Sequence, residues 1–144
     1  MILIGDTSGL VAAFNRDDPL HKAARQVLSA SPALVVSPLV MHEIEHVMTR
    51  NVGRREAHAV NDWILAGEDA LRVVIAEVDA VCLRRARRVQ SAYAALRLDL
   101  ADAVNVVLAA QFETAAILTL DRRDFRAIAP LTPHAAFRIL PDDA

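Results

Sequence analysis

Lysine occurs once in the 144-residue chain, at Lys22, and cysteine once, at Cys82. A single cysteine excludes an intramolecular disulfide and fits a reducing compartment, where it serves as a small apolar core residue. Aromatic side chains are 4 % of the chain, too few for the stacking platforms that many single-strand nucleic-acid binders use. No apolar run approaches the ~18 residues that argue for a membrane span, and the opening MILIGDTS is too short an apolar stretch for a signal peptide. A soluble, cytoplasmic protein without membrane contact is therefore expected. The formal net charge of −2 supplies no global basic field for a nucleic acid. Only four glycines interrupt a composition that is 54 % hydrophobic, which is too apolar for disorder and sufficient for one packed domain over residues 1–144.

What is present is an alternation of short apolar runs with helical periodicity. Ile2–Ile4, Ala33–Val36, Leu71–Ile75, Ala116–Leu120 and Ala136–Leu140 are predicted strands. Between them fall predicted helices over Ser8–Phe14, Leu20–Ser29, Pro38–Arg50 and Arg54–Ala66, the last ending at Gly67, then Val78–Ala95, Asp99–Phe112 and Asp121–Ile128. Ser37-Pro38 is an N-cap followed by proline at the first helical position. This alternation predicts an α/β fold, a three-layer α/β/α sandwich around a mostly parallel sheet. In such sheets, sites lie beyond the carboxyl ends of the strands.

The acids fall where that rule has force. Asp6 follows the first predicted strand and Asp121 follows the fourth, although each also suits the N-cap of the next helix. Asp102 sits in a helix apolar nearly all round, where a carboxylate costs several kcal/mol, order of magnitude, unless paired, hydrogen-bonded or bound to a cation. No basic residue stands within one turn of it, and Asp99 and Asn105 share its face. The competing account is a cap, with Asp99 as N-cap and Asp102 in the first turn. Glu43 lies between Val40 and Val47 on the edge of a buried face, a position equally suited to a structural ion pair. Carboxylates gathered together need a compensating charge, and all-oxygen clusters select Mg²⁺ or Mn²⁺. Such ions activate water for phosphodiester hydrolysis.

His42-Glu43-Ile44-Glu45-His46 also satisfies the H-E-x-x-H pattern of a zinc hydrolase, with two histidines at i and i+4 and a glutamate base. Thr49 stands where the extended form of that motif needs glycine, Glu45 places a second charge between the ligands, and no third ligand is evident apart from Glu68. His42 and His46 are therefore expected at the rim beside Glu43. His21, His58 and His134 show no spacing that converges on a histidine-only acid–base site.

The segments Ile4-Gly5-Asp6-Thr7-Ser8-Gly9-Leu10, Ser37-Pro38-Leu39-Val40-Met41-His42-Glu43, Asp99-Leu100-Ala101-Asp102-Ala103 and Leu118-Thr119-Leu120-Asp121-Arg122-Arg123-Asp124-Phe125 occur in an order and spacing that span nearly the whole chain. In these the sequence resembles the PIN-domain ribonucleases, and among them the VapC toxins of toxin–antitoxin pairs. The resemblance implies a Mg²⁺- or Mn²⁺-dependent endoribonuclease acting on structured cellular RNA, such as a transfer-RNA or ribosomal-RNA loop. A cognate antitoxin and a homodimer are implied with it. By position, Asp6, Glu43, Asp102 and Asp121 match the family's acidic quartet, with Asp6 and Asp102 as metal ligands. Asp124 matches an additional acid of some members, and Thr7, Ser8 and Thr119 are supporting residues. Asp99 is an added acid one turn before Asp102, and departs from the commonest pattern.

The arginines divide into two groups. Arg84, Arg85, Arg87 and Arg88 suit a solvated helix face. Arg122, Arg123 and Arg126 flank Asp121, where they are expected to hold RNA phosphate. An arginine supplied by an antitoxin among the carboxylates would replace the cation's charge. The alternatives are a nuclease of this fold acting in RNA processing or on DNA, and a non-catalytic binding module.

Overall fold

The computed structural model describes residues 1–144. Five strands, β1 (Ile2–Gly5), β2 (Ala33–Val36), β3 (Val73–Ile75), β4 (Ala116–Leu118) and β5 (Arg138–Leu140), form one sheet in the order β3-β2-β1-β4-β5. All four pairings are parallel. Seven α-helices connect them: α1 (Thr7–Phe14), α2 (His21–Ala30), α3 (Pro38–Asn51), α4 (Arg54–Asp69), α5 (Ala80–Ala92), α6 (Leu100–Gln111) and α7 (Arg122–Ala127).

Alternation along the strands divides the core in two. Leu3, Leu34, Val36, Val73 and Leu118 pack with α1–α4 in one cluster of 19 buried residues. Ile4, Val35, Ile117 and Ile139 pack with α5, α6 and Phe125 of α7 in another cluster of 19. These are the two helical layers of the expected sandwich. From β1 the chain builds outward through β2 and β3, then returns to the other side of β1 for β4 and β5. The β1–β4 boundary is thus where strand order reverses, and crevices open at the carboxyl ends of such strands.

Element boundaries depart from the sequence expectation where packing intervenes. Helix α4 runs through Gly67 to Asp69. A Cβ on Gly67 would lie 2.5 Å from Val73 Cγ2, so the glycine permits close approach to β3 rather than ending the helix. Leu71, expected in a strand, instead adopts φ 61° in the turn that closes α4, with its side chain 91 % exposed. Helix α5 stops at Ala92, and a short 3₁₀ turn over Ala94–Leu96 carries the chain toward α6. Strand β4 ends at Leu118, which leaves Thr119 free to turn toward the site.

Gly9 has a sharper role. It lies inside α1, where glycine costs about 1 kcal/mol against alanine. A Cβ there would sit 2.4 Å from the carbonyl oxygen of Leu118, so α1 lies directly against the end of β4. The contact is with backbone and cannot be relieved by a rotamer change. Gly9→Ala is expected to destabilise the protein by about 1–3 kcal/mol despite its better helix propensity, measured as a lower midpoint in urea. A stabilised variant would show that α1 shifts freely over β4.

Candidate active site

Asp6 leaves β1 at the strand-order reversal, its N–H donating to the Leu118 carbonyl of β4 at 3.0 Å. Its side chain does not cap α1. It is buried, with Oδ2 accepting from Thr119 Oγ1 at 2.7 Å and Oδ1 accepting from Asn105 Nδ2 at 3.1 Å. The Thr119 hydroxyl spends its one proton on Asp6, so in its 3.2 Å contact with Ser8 Oγ it must accept. The N–H groups of Leu120 and Asp121 donate to Ser8 Oγ and Thr119 Oγ1 at 2.9 and 3.0 Å. Ser8 and Thr119 therefore fix the β4–α7 loop and the Asp6 carboxylate together.

Glu43 comes from α3, opened by the Ser37 cap and Pro38, and its Oε1 accepts from Thr7 Oγ1 at 2.6 Å. Asp99 caps α6 by accepting from Asp102 N–H at 2.8 Å, which places Asp102 in that helix's first turn. Asp121 caps α7, accepting from Asp124 N–H at 3.3 Å. Asp102, Asp121 and Asp124 each offer a carboxylate oxygen to one point, all within 4.8 Å of one another.

Asp6, Thr7, Ser8, Glu43, Asp99, Asp102 and Asp121 line a cleft of about 570 Å³. Six of its 13 lining residues are carboxylates, namely Asp6, Asp18, Glu43, Asp99, Asp102 and Asp121. No lysine or arginine lines it, and His42 and His46, both exposed, are among its lining residues. Residues 3–131 match the PIN domain family. The chain belongs to that family.

A relative 38 % identical over 140 residues is Ribonuclease VapC26 of Mycobacterium tuberculosis, an alignment covering 96 % of this chain and all of the relative. Among solved structures the fold is similar to VapC20 of the same organism, described as a Sarcin-Ricin loop cleaving toxin. That match has a TM-score of 0.73 at 20 % identity, over 84 % of this chain and 91 % of the other. VapBC2 from Rickettsia felis, solved bound to a DNA fragment from their promoter, gives 0.67 at 16 % identity, over 96 % and 98 %.

The electrostatics of this PIN domain follow from its crowding. Burial pushes the Asp6 carboxyl up to about 6, against the pull of the Thr119 hydrogen bond, and the charges of Glu43 and Asp121 add to the rise. Burial also pushes Asp102 up, to about 8, reinforced by the charges of Asp6, Asp99 and Asp121. Glu43 is raised by burial and by Asp99, and Asp124 by burial and by Asp121. Each carboxylate makes its neighbour harder to ionise, and the only offsetting charges the chain brings near are Arg123 beside Asp124 and His42 beside Glu43, neither of which outweighs the rise. An all-oxygen donor set with unmet negative charge fits a divalent hard cation.

Asp6, Glu43, Asp99, Asp102 and Asp121 thus meet in one cleft, joined by Thr7, Ser8 and Thr119. Asp102 offers a carboxylate oxygen to the same place as Asp121 and Asp124. Asp6 lies deeper, with both oxygens already hydrogen-bonded. Arg122 and Arg126 are held by the chain's own acids: Arg122 pairs with Asp142 at 3.2 Å, and Arg126 with Asp142 and Asp143. Arg123 has no such partner.

Asn105 was identified in the sequence only as a neighbour of Asp102, yet it holds Asp6. Its signal is an amide in the middle of a helix apolar nearly all round. The zinc pattern does not assemble, because Arg50 Nη2 donates to His46 Nε2 at 2.9 Å and no third ligand joins the two histidines.

Proposed function

We propose that this PIN domain is a metal-dependent endoribonuclease and the toxin of a toxin–antitoxin pair, with Mg²⁺ or Mn²⁺ as its cofactor. The observation that carries this is the cleft of six carboxylates without a lysine or arginine, at the reversal of strand order. The relative named a ribonuclease, aligned over nearly the whole chain, supports the choice of RNA. Asp102, Asp121 and Asp124 would hold the ion, with the buried Asp6 beside Asp102. When bound, a divalent cation supplies the charge that lets these acids stay ionised together and polarises the phosphodiester and its attacking water.

The chain's own groups do the positioning. Thr119 and Asn105 hold the Asp6 carboxylate in one orientation, and Ser8 holds Thr119. Thr7 holds Glu43 through Oε1, and Glu43, raised by burial and by its neighbour Asp99, is the group to accept a proton from the attacking water. The substrate is structured cellular RNA, a transfer-RNA or ribosomal-RNA loop. As in the pairs this family supplies, the protein works as a cytoplasmic homodimer silenced by its antitoxin.

The test is incubation of the purified protein with total RNA in Mg²⁺, in Mn²⁺ and in chelator. Discrete fragments are expected with either metal and none with chelator or with Asp6→Asn. Fragments of equal yield in chelator would overturn the proposal.

A further inference from the structure

The exposed face of α3 beyond the acid cleft is occupied by a second, wholly polar groove of about 340 Å³, lined by His42, Glu45, His46, Thr49, Arg50 and Arg54. His42 and His46 also line the acid cleft, so the two depressions share a wall. This is where the histidine pair of the H-E-x-x-H pattern went. From Glu43 to Arg50 is seven residues, about 10 Å along the helix axis, so the groove leads away from the acids along α3.

The charges in this groove are available. Arg50 and Arg54 are exposed, and neither makes an ion pair with any carboxylate of the chain, in contrast to Arg122 and Arg126. The groove's one acid, Glu45, faces His58 at 3.9 Å. Because a guanidinium only donates, His46 Nε2 must be the unprotonated acceptor in its bond with Arg50. That bond orients the Arg50 guanidinium and leaves its other N–H groups for an anion. Arg54 sits in the first turn of α4, at the positive end of the helix dipole, a placement that opposes helix stability.

We propose that Arg50 and Arg54, with His46 orienting Arg50, form a subsite for a backbone phosphate of the RNA that flanks the scissile one. The proposal rests on the ribonuclease function put forward above. It divides the work on the strand, with the acid cleft taking the phosphate to be cut and this groove holding the neighbouring one in line. The guanidinium forks match phosphate oxygens in a way that an ammonium does not.

The test uses the full-length protein and a labelled single-stranded oligouridylate, with binding measured in chelator across a range of salt. Arg50→Ala/Arg54→Ala is expected to weaken binding about tenfold and to make the slope of log K against log salt shallower by about 0.7, the loss of one phosphate contact. Arg50→Lys/Arg54→Lys should keep the slope while losing part of the affinity, which separates charge from fork geometry. Arg84→Ala/Arg88→Ala, on the exposed face of α5, is the control and should leave both quantities unchanged. In the cleavage assay with Mg²⁺ the groove variant should raise KM about tenfold with kcat close to wild type.

The proposal is overturned if the groove variant binds RNA no more weakly than the α5 control. It is equally overturned if the variant loses binding of an acidic peptide while RNA binding stays intact, an outcome that would assign the groove to a protein partner. Failure of the wild type to cleave RNA with either metal would instead remove the ribonuclease function, and the binding series in chelator would still decide the subsite.

Discussion

Asp102→Asn is expected to lower RNA cleavage by about a thousandfold or more while making the metal-free protein more stable at neutral pH. The two effects share one cause. Asp102 is half-buried in the first turn of an apolar helix, faces the charges of Asp6, Asp99 and Asp121, and is one of three acids whose oxygens converge. Removing its charge takes away a ligand, and the loss of several kcal/mol of transition-state stabilisation is about three orders of magnitude in rate. The same change removes the cost that the metal-free fold bears at neutral pH, where Asp102 must take up a proton that the unfolded chain does not bind. The weaker charge–dipole interaction at the start of α6 costs only about 0.3–1 kcal/mol in return. Asp99→Asn is the informative companion. Asparagine caps a helix as well as aspartate does, so the bond to the Asp102 N–H survives and the activity loss should be nearer tenfold. Cleavage by both variants and by both metals is the measurement. Equal losses for the two would mean that Asp99 is as much a ligand as Asp102.

The alternation of apolar runs with helical segments was enough to predict a sandwich around a parallel sheet, because strands buried on both faces leave an unbroken hydrophobic signature such as Ile2–Ile4 or Ala33–Val36. The strand-end rule then singles out Asp6 from the sequence. Legibility declined where a residue's role depends on a distant partner. Gly67 looked like a helix terminator because local propensity makes it one, and its contact with Val73 across the fold could not be read from its neighbours. Leu71 has the composition of a strand residue, yet the closing turn of α4 claims it. Arg122 and Arg126 are next to Asp121 in sequence, but β5 carries Asp142 and Asp143 back to them.

The site was legible in outline for a related reason. A carboxylate in apolar surroundings violates the ordinary pattern, and such violations can be seen in one dimension, as at Asp102. Hydroxyl and amide partners violate nothing. Thr119 and Ser8 are ordinary residues in their local context; the resemblance marked them as supporting, and the 2.7 and 3.2 Å contacts show how, with Thr119 bonded to Asp6 and Ser8 to Thr119. Asn105 lay between these cases, visible as an amide in the buried middle of its helix but with its partner 99 residues away.

The metal-free protein should lose stability as pH rises from about 5 to about 8, the reverse of the usual acid-denaturation profile. Asp6 and Asp102 both have folded-state values raised above those of an unfolded aspartate, to about 6 and about 8. Between pH ~4 and each folded value, the folded chain therefore binds more protons than the unfolded one, and stability declines with rising pH. The decline begins above the unfolded value near 4, continues through 6 as Asp6 ionises, and levels off above about 8. Asp6 alone accounts for about 3 kcal/mol, and Asp102 acts in the same direction. In a chain of this size that corresponds to a fall in melting temperature on the order of 10 °C. The Asp142 and Asp143 carboxyls, held low by Arg126, change protonation only at the acid end and do not oppose the trend. A divalent cation should reverse the loss where the acids are ionised, since at a hundred times its Kd it adds about 2.7 kcal/mol. Mg²⁺ or Mn²⁺ should thus raise the melting temperature at pH 8 and change it little at pH 5, where protons already occupy the cluster. Calorimetry at the two pH values, with and without metal, decides the matter. A metal-free melting temperature that stays level from pH 5 to 8, or an equal gain from metal at both, would mean that these carboxylates do not share a common unmet charge.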